Sequence, residues 1–250
     1  MAMIFDMFRA SAFVFVLLFV AAISLEVQGR DDESLLRLVA SASSSAVTVG
    51  GEETRILDRA FESRKSSDDS CGPQISIETP ACDVIGKGNG YELRKYPDGQ
   101  IWVETLVENS TYNLATSIGF IRCFLFISGG NSKNMEIEMT GPVHITPVLS
   151  EAGYKTGFFV PSRFKSVNDL PTPGDPKIKF NVHKEAVMAV IGPFGGFPGD
   201  FDYEAKFSQL KKYLDKDGLK YEESSAVFAG YSSPFEIRNR KQEVHVKIVS

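Results

Sequence analysis

The apolar residues near the middle of the chain follow a helical period and occupy two sides of the predicted helix. The helix is predicted from Tyr112 to Ile127, with polar N-cap candidates before it and glycines after it as a stop signal. Arg122 is its only charged residue. The first stripe consists of Leu114, Ile118, Ile121 and Leu125, and the second stripe consists of Phe120, Cys123, Phe124 and Ile127.

A helix of this kind can bury one stripe in the core of its own domain, so the other stripe needs a second cover. That cover can be further protein, a partner or an apolar ligand. Burial of both stripes in the core is an equally good interpretation, because apolar stripes on helices usually pack inside. The pattern leaves these alternatives open.

Alternating apolar and polar residues predict strands on both sides of this helix. Before it, Tyr91–Tyr96 and Gln100–Val107 are connected by the turn sequence Pro97-Asp98-Gly99. After it, alternation begins at Met135, is interrupted at Gly141-Pro142, and resumes. Further strands are predicted at residues 157–161, 178–182, 185–191, 226–231 and 243–249.

The second half of the chain repeats this plan around a second helix, predicted over residues 201–216. Asp200 or Asp202 can cap this helix, and Phe207, Leu210 and Leu214 form its core stripe. The two halves predict two strand-strand-helix-strand-strand units related by a pseudo-twofold axis. The predicted fold class is therefore α+β.

Composition places one globular domain at residues 75–250, preceded by two extensions. The chain has 250 residues, 43% of them hydrophobic, and a net charge of −5 with no dense basic run, which argues against nucleic-acid binding. Residues 1–29 resemble a secretory signal peptide with cleavage after Gly29; an uncleaved membrane anchor is the alternative. Residues 30–74 predict a mostly disordered linker. We expect a monomer, secreted or in the endomembrane lumen.

The cysteines and the glycosylation sequon depend on that compartment. In an oxidising lumen Cys71 and Cys82 could form a disulfide at the domain entrance, whereas Cys123 is predicted to be a buried thiol. Asn109 begins an Asn-Ser-Thr sequon at the start of the first helix. The sequence contains no nucleophile elbow, zinc-protease motif, phosphate-binding loop or dinucleotide fingerprint, so we predict a protein that is not an enzyme.

Several motifs, in order, resemble the SOUL haem-binding family. The central one is F-I-R-C-F-L-F-I-S-G-G-N, followed by I-E-M-T-G-P-V and F-F-V-P. G-N-G-Y-E-L-R-K-Y precedes them, and L-P-T-P-G-D and Y-S-S-P-F with R-K-Q-E-V follow. The resemblance extends over residues 77–248. It implies a distorted antiparallel β-barrel flanked by two long helices.

The resemblance also implies non-covalent binding of haem or a related tetrapyrrole on the first helix, near the last hairpin. A porphyrin is a flat apolar plate, and aromatic side chains provide wide rigid contact surfaces for it. The implied cleft consists of Ser117, Phe120, Ile121, Phe124, Leu125, Tyr231, Pro234 and Phe235, with Arg122, Arg238, Arg240 and Lys241 as partners for the propionates. Weak candidates for an axial iron ligand are His144, His183, His245 and Cys123.

Two other functions are compatible with the sequence. The same cleft could hold a different apolar ligand or a partner helix. Alternatively, the chain could be an enzyme that acts on a tetrapyrrole or a small amphiphile through Cys123 or a histidine.

Overall fold

The computed structural model describes residues 71–196, 198–232 and 239–249. The predicted signal peptide and nearly all of the predicted linker lie outside these residues, as do Pro234, Phe235 and Arg238. Within the described part of the chain, no helix is long and apolar enough to cross a membrane.

Two long helices and nine strands make up the regular structure of the described residues. The helices are α1 (Tyr112–Ile127) and α2 (Asp200–Lys216), with short 3₁₀ turns at Leu149–Glu151 and Val167–Asp169. The strands are β1 (Asp83–Gly88), β2 (Tyr91–Tyr96), β3 (Gln100–Val107), β4 (Val143–Val148), β5 (Gly153–Phe159), β6 (Ile178–His183), β7 (Ala186–Phe194), β8 (Tyr221–Gly230) and β9 (Gln242–Ile248).

The strands form one antiparallel sheet in the order β1-β2-β7-β9-β8-β4-β5-β3-β6. This confirms an α+β fold with two helices. The expectation of a barrel was wrong: β1 and β6 end the sheet, and no backbone ladder joins them. The predicted turn at Pro97-Asp98-Gly99 connects β2 to β3, but these two strands do not pair with each other: β2 pairs with β7, while β3 pairs with β5 and β6.

One predicted strand is absent from the structure. Residues 135–139 keep the expected alternation, with Ile137 and Met139 buried and Glu136 and Glu138 exposed. However, only isolated bridges form there, and the backbone N–H of Ile137 donates to the carbonyl of Ile127 at 2.8 Å. The period-two pattern therefore corresponds to an extended segment that lies over the end of α1, and no strand of the described residues forms a ladder with it.

Both helices cover the same face of the sheet, and each closes its own core cluster. Phe126 and Cys123 of α1 pack with Val103 and Phe158 from β3 and β5. A second cluster is closed by α2. It contains Leu210 and Leu214 of α2 together with Ala189, Val244, Val246 and Phe228 from the strands.

The other face of the sheet is concave. Trp102 on β3 and His144 on β4 have ring centroids 4.0 Å apart, although β5 lies between these strands. Adjacent strands are roughly 4.8 Å apart, so a flat sheet would separate the two positions by about 10 Å. The rings can meet because the sheet curves and because the residue paired with His144 on β5 is Gly157, which has no side chain.

The segment that enters the domain is attached by the Cys71–Cys82 disulfide, with the two Cα atoms 5.6 Å apart. Cys123 is free and buried. The structure thus contains the predicted pairing.

Candidate ligand-binding surface

The two apolar stripes of α1 have different environments. Phe120, Cys123, Phe124 and Ile127 of the second stripe are buried, or packed against the buried core. In the first stripe Leu114 is 46% exposed and Leu125 is 40% exposed, and Ile118 and Ile121 between them are half-buried. We call this first stripe the outer stripe of α1, since it is the apolar face directed away from the sheet.

The position of α1 depends on its close approach to β5 at Gly119. A Cβ atom at this position would lie 2.1 Å from Oγ1 of Thr156. Only glycine therefore permits the observed distance between helix and strand. Because the sheet covers the opposite side of α1 so closely, the outer stripe is the side left for a further contact.

Phe120 and Phe124 lie at the border between the inner and outer sides of α1. Their rings are nearly parallel with centroids 5.8 Å apart, and Phe120 also contacts Phe158 at 5.3 Å. Both are half-buried against the core, so each offers an edge to the surface. Ser117 does not line that surface: it is buried, and its hydroxyl donates to the carbonyl of Asn113 at 2.8 Å.

Arg122 borders the outer stripe and has a defined orientation. Its Nη1 donates to the carbonyl of Leu106 at 3.2 Å and to Oγ1 of Thr105 at 3.4 Å. Its Nε lies 3.6 Å from a carboxylate oxygen of Asp175. Of the propionate candidates within the described residues, this arginine alone lies beside the outer stripe.

The predicted residues of the last hairpin that the structure describes do not join this surface. Tyr231 is buried, and its hydroxyl donates to Oε2 of Glu243 at 2.8 Å, in a network on the concave face. Lys241 Nζ donates to the carbonyl of Gln74, and Arg240 is half-buried in the same region. Among the described residues, the predicted cleft is thus divided between the two faces of the sheet: Phe120, Ile121, Phe124 and Leu125 lie on α1, and Tyr231 lies on the concave face.

The three histidines come together on the concave face. The ring of Trp102 is stacked between His144, at a centroid distance of 4.0 Å, and His183, at 5.2 Å. His245 meets His144 edge-on at 5.9 Å. Burial, together with repulsion from His245 and His183, holds the pKa of His144 well below its usual value.

Two carboxylates on the concave face are bound by these histidines. Nε2 of His183 lies 3.1 Å from Glu104, and Nε2 of His245 lies 3.0 Å from Glu243. Arg94 also binds Glu243 with two hydrogen bonds, of 2.8 and 2.9 Å. Burial would raise the pKa of Glu243, but the hydrogen bonds from His245 and Arg94 lower it to about 2. The charge is therefore buried but fully paired.

Cys123 is enclosed in the core between α1 and the sheet. Its sulfur has only weak contacts with the carbonyls of Val103 and Thr156, at 3.9 and 4.0 Å. Burial raises the pKa of its thiol well above the usual value, so the thiolate is disfavoured. It is neither a nucleophile nor an accessible metal ligand in this structure.

Comparison with known proteins agrees with the motifs. The SOUL heme-binding protein family matches residues 77–247. The chain belongs to this family. Heme-binding protein 2 of Mus musculus is 28% identical over 185 residues, which cover 72% of this chain and 88% of that protein. Heme-binding protein 1 of Xenopus laevis is 28% identical over 177 residues, which cover 67% of this chain and 90% of that protein.

Solved structures give a much weaker comparison with this SOUL family chain. SAV2435 bound to tetraphenylphosphonium has a TM-score of 0.38 and 11% sequence identity, covering 64% of this chain and 94% of that chain. A similarity of this size supports no functional argument.

The positions of the histidines and cysteines restrict how a SOUL family chain of this sequence can hold an iron porphyrin. All three histidines lie on the concave face, Cys123 is in the core, and Cys71 and Cys82 form a disulfide. The sheet separates the histidines from the outer stripe of α1. The apolar outer stripe and Arg122 fit a flat plate with carboxylates, but no imidazole or thiol of this chain reaches that surface.

Sequence reasoning missed the concave face as a unit. It identified each histidine separately and did not identify Trp102, Arg94 or Glu104. The sequence pattern that could have indicated this face is the alternation along β9, where Glu243 and His245 alternate with Val244 and Val246 and so lie on the same face of the sheet. That alternation normally means one exposed face, and only the curvature of the sheet turns the polar face into an interior.

Proposed function

We propose that this chain binds haem or a related tetrapyrrole non-covalently on the outer stripe of α1. The observation that supports this most directly is the exposure of Leu114 and Leu125 on a helix whose other apolar side already fills the core. Family membership supports a haem-type ligand. Burial of apolar area gives roughly 25 cal/mol per Å², so a porphyrin plate on this stripe has a sufficient driving force.

The absence of an imidazole or thiol at the outer stripe defines the mode of binding. The macrocycle is held by its apolar face and by pairing of a propionate with Arg122, without axial ligation by a histidine or a cysteine. Iron-free protoporphyrin should therefore bind within about threefold of hemin, since the iron adds little. A strong preference for hemin would contradict this mode and would implicate one of the histidines.

Titration of hemin into paired helix variants tests the surface itself. Ile121→Glu places a carboxylate on the outer stripe, where it would be poorly solvated under an apolar ligand and would repel propionates. Ser208→Glu places the same charge on the exposed side of α2. We expect at least a roughly tenfold loss of affinity for Ile121→Glu alone, with both proteins folded. Equal affinities of the two variants would exclude α1 as the platform.

A different apolar ligand or a partner helix is the second candidate, because exposed leucines at helical spacing also fit a helix-in-groove contact. It is favoured if the folded protein binds neither hemin nor protoporphyrin.

The non-enzymatic character of the chain is part of our proposal as well. It predicts that bound porphyrin is recovered unchanged after prolonged incubation, whereas conversion to a product would support an enzyme.

We also propose that the natural protein is secreted, with its mature chain starting near Arg30 and a glycan on Asn109. Asn109 is exposed in the turn before α1, as a glycan requires. Expression in secreting eukaryotic cells should give an N-terminus near Arg30 and a glycosidase-sensitive mass that Asn109→Gln removes. Secreted material that retains Met1 would contradict cleavage.

The pseudo-twofold repeat remains a proposal, supported by topology. A repeat of this kind would make β2, β3, β4 and β5 the counterparts of β6, β7, β8 and β9. If each strand is exchanged with its counterpart, the sheet order from β2 to β6 is the same read backwards. In this interpretation α1 and α2 are counterparts. Only α1 keeps an apolar outer side, which places the ligand on one half of the repeat. A superposition of the two halves that does not pair α1 with α2 would contradict this proposal.

A further inference from the structure

A cleft of about 650 Å³ lies beside α1, where the second half of β3 approaches the start of β5 and the residues that lead into β6. This volume is within the range of small-molecule sites. Four cationic side chains line the cleft: Arg122 from α1, Lys155 from β5, Lys177 from the residue before β6, and Lys179 from β6. Like charges brought together from three elements repel each other unless a counter-charge is present.

The carboxylates of the chain only partly supply that counter-charge. Glu104 lines the cleft, but it is already bound by Lys155 at 3.1 Å and by His183 at 3.1 Å. Glu108 lines it as well and is exposed. Within residues 71–196, 198–232 and 239–249, neither Lys177 nor Lys179 forms an ion pair. Two ammonium groups of the cleft therefore remain available to a ligand.

Arg122 is the rigid member of the set. Hydrogen bonds to Leu106 and Thr105 fix its guanidinium against β3, so little side-chain entropy is lost when it binds a ligand. Among the described residues its charged partner is Asp175, at 3.6 Å, and the Asp175 side chain is 38% exposed. A long, solvated contact of this type contributes little and is easily exchanged.

We propose that this cleft binds a compact polyanion carrying at least two carboxylate or phosphate groups, through Arg122, Lys177 and Lys179. Asp175 competes with the ligand for Arg122. Since the cations come from separate elements, a ligand with spaced negative groups contacts more of them than a single small ion does. This site shares Arg122 with the proposed tetrapyrrole surface, but Lys177 and Lys179 belong to the cleft and the outer stripe of α1 lies outside its lining, so anion binding does not require the tetrapyrrole.

Calorimetric titration of the purified chain with citrate and, separately, with inorganic pyrophosphate at low ionic strength tests the proposal. We expect one saturable site, weakened by added salt because the contacts are ionic. Lys177→Gln/Lys179→Gln should lower the affinity at least roughly tenfold, and Asp175→Asn should raise it severalfold. Lys212→Gln/Lys216→Gln, which removes two exposed cations from α2, should leave it unchanged.

The two probes separate carboxylate from phosphate ligands: the tighter one identifies the chemistry. Failure of both probes to saturate would overturn the proposal, as would an equal loss in the α2 control, which would show only a response to net charge. An unchanged affinity of Asp175→Asn would refute the competition. Ile121→Glu should retain anion binding, so failure of this proposal and failure of haem binding are distinguishable.

Discussion

Helices α1 and α2 lie on the same face of one sheet, yet their outer sides are opposite in character. On α2 the exposed positions are charged or small, among them Glu204, Ser208 and Lys212, and the exposed apolar residue Phe201 is at its first turn. On α1 the outer side carries leucines and isoleucines. Because α2 covers its half of the sheet with a polar outer side, an apolar outer side is not needed for folding. The difference supports our proposal that the outer stripe of α1 serves a contact.

The two helices also differ in how their ends are capped. The carboxylate of Asp202 accepts from the backbone N–H of Gly199 at 2.9 Å, which fixes the start of α2. The N-cap of α1 is Thr111, and its side chain makes no capping bond. Instead, Nδ2 of Asn131 donates to the carbonyl of Phe126 at 2.9 Å after the helix. Tertiary packing therefore stabilises α1 more than local capping does.

The largest expected effect is a loss of protein stability when a buried side chain on the inner side of either helix is truncated. The two helices should not differ in this respect. Phe126→Ala in α1 should lower the free energy of unfolding by roughly 3–5 kcal/mol, and Leu214→Ala in α2 by roughly 2–5 kcal/mol, because both side chains are fully buried. Chemical denaturation monitored by circular dichroism measures this. If Phe126→Ala cost under about 1 kcal/mol, α1 would not be part of the core.

A smaller effect should separate the outer sides. Leu114→Gln/Leu125→Gln should change the free energy of unfolding by less than about 1 kcal/mol, because both side chains already contact water. We expect hemin affinity to fall severalfold in the same protein. A matched change on α2, Ser208→Gln, should alter neither quantity. A large destabilisation by the α1 pair would show that these leucines belong to the core after all.

The effect that distinguishes the helices least is a pH dependence of stability that belongs to neither helix, since all three histidines lie on strands. The folded-state pKa of His144 is far below the unfolded value of 6.5, so the unfolded chain takes up this proton first as the pH falls. Its contribution to stability is present above about pH 6.5 and is lost below it, at up to about 1.4 kcal/mol per pH unit.

His144→Phe should flatten that dependence, because it keeps a ring stacked on Trp102 without a titrating group. Thermal melting between about pH 7.5 and about pH 5.5 gives the comparison. His245, whose pKa is also lowered by burial, contributes in the same direction and leaves a residual slope. Helix variants such as Leu214→Ala should melt lower at every pH with the slope unchanged; a changed slope would place the titration elsewhere.

The periodicity of apolar residues predicted many of the helices and strands, because this periodicity depends on the residues of one helix or strand alone. The 3.6-residue period placed α1 at its observed bounds, and the two stripes left open whether the second apolar side is covered by the core or by a further contact. Sheet order and curvature were not predictable, since they depend on pairings between distant strands. The barrel expectation and the strand at residues 135–139 were wrong for this reason. Phe207, predicted as core, is half-buried under Lys211, because it borders the inner stripe of α2.

The candidate site was predictable to the same extent. Ile121, Phe124 and Leu125 could be placed on one helix from spacing alone. Tyr231 could not be placed relative to them, because its position follows from the hydrogen bond to Glu243 across the concave face. The cation cleft was also not predictable, since Lys177 and Lys179 approach Arg122 only after β6 has paired with β3.

The close approach at Gly119 makes two distant positions change together. A methyl group at residue 119 would lie 2.1 Å from Oγ1 and 2.6 Å from Cβ of Thr156. A side chain at residue 119 therefore fits only if the side chain at residue 156 is removed. We expect the double variant Gly119→Ala/Thr156→Gly to lose much less free energy of unfolding than the sum of the losses in the two single variants. A double-mutant cycle in which the two costs simply add would contradict this. Over evolutionary time, residues 119 and 156 should then be inherited as a pair, so that a relative with a larger residue at one position would carry a smaller one at the other.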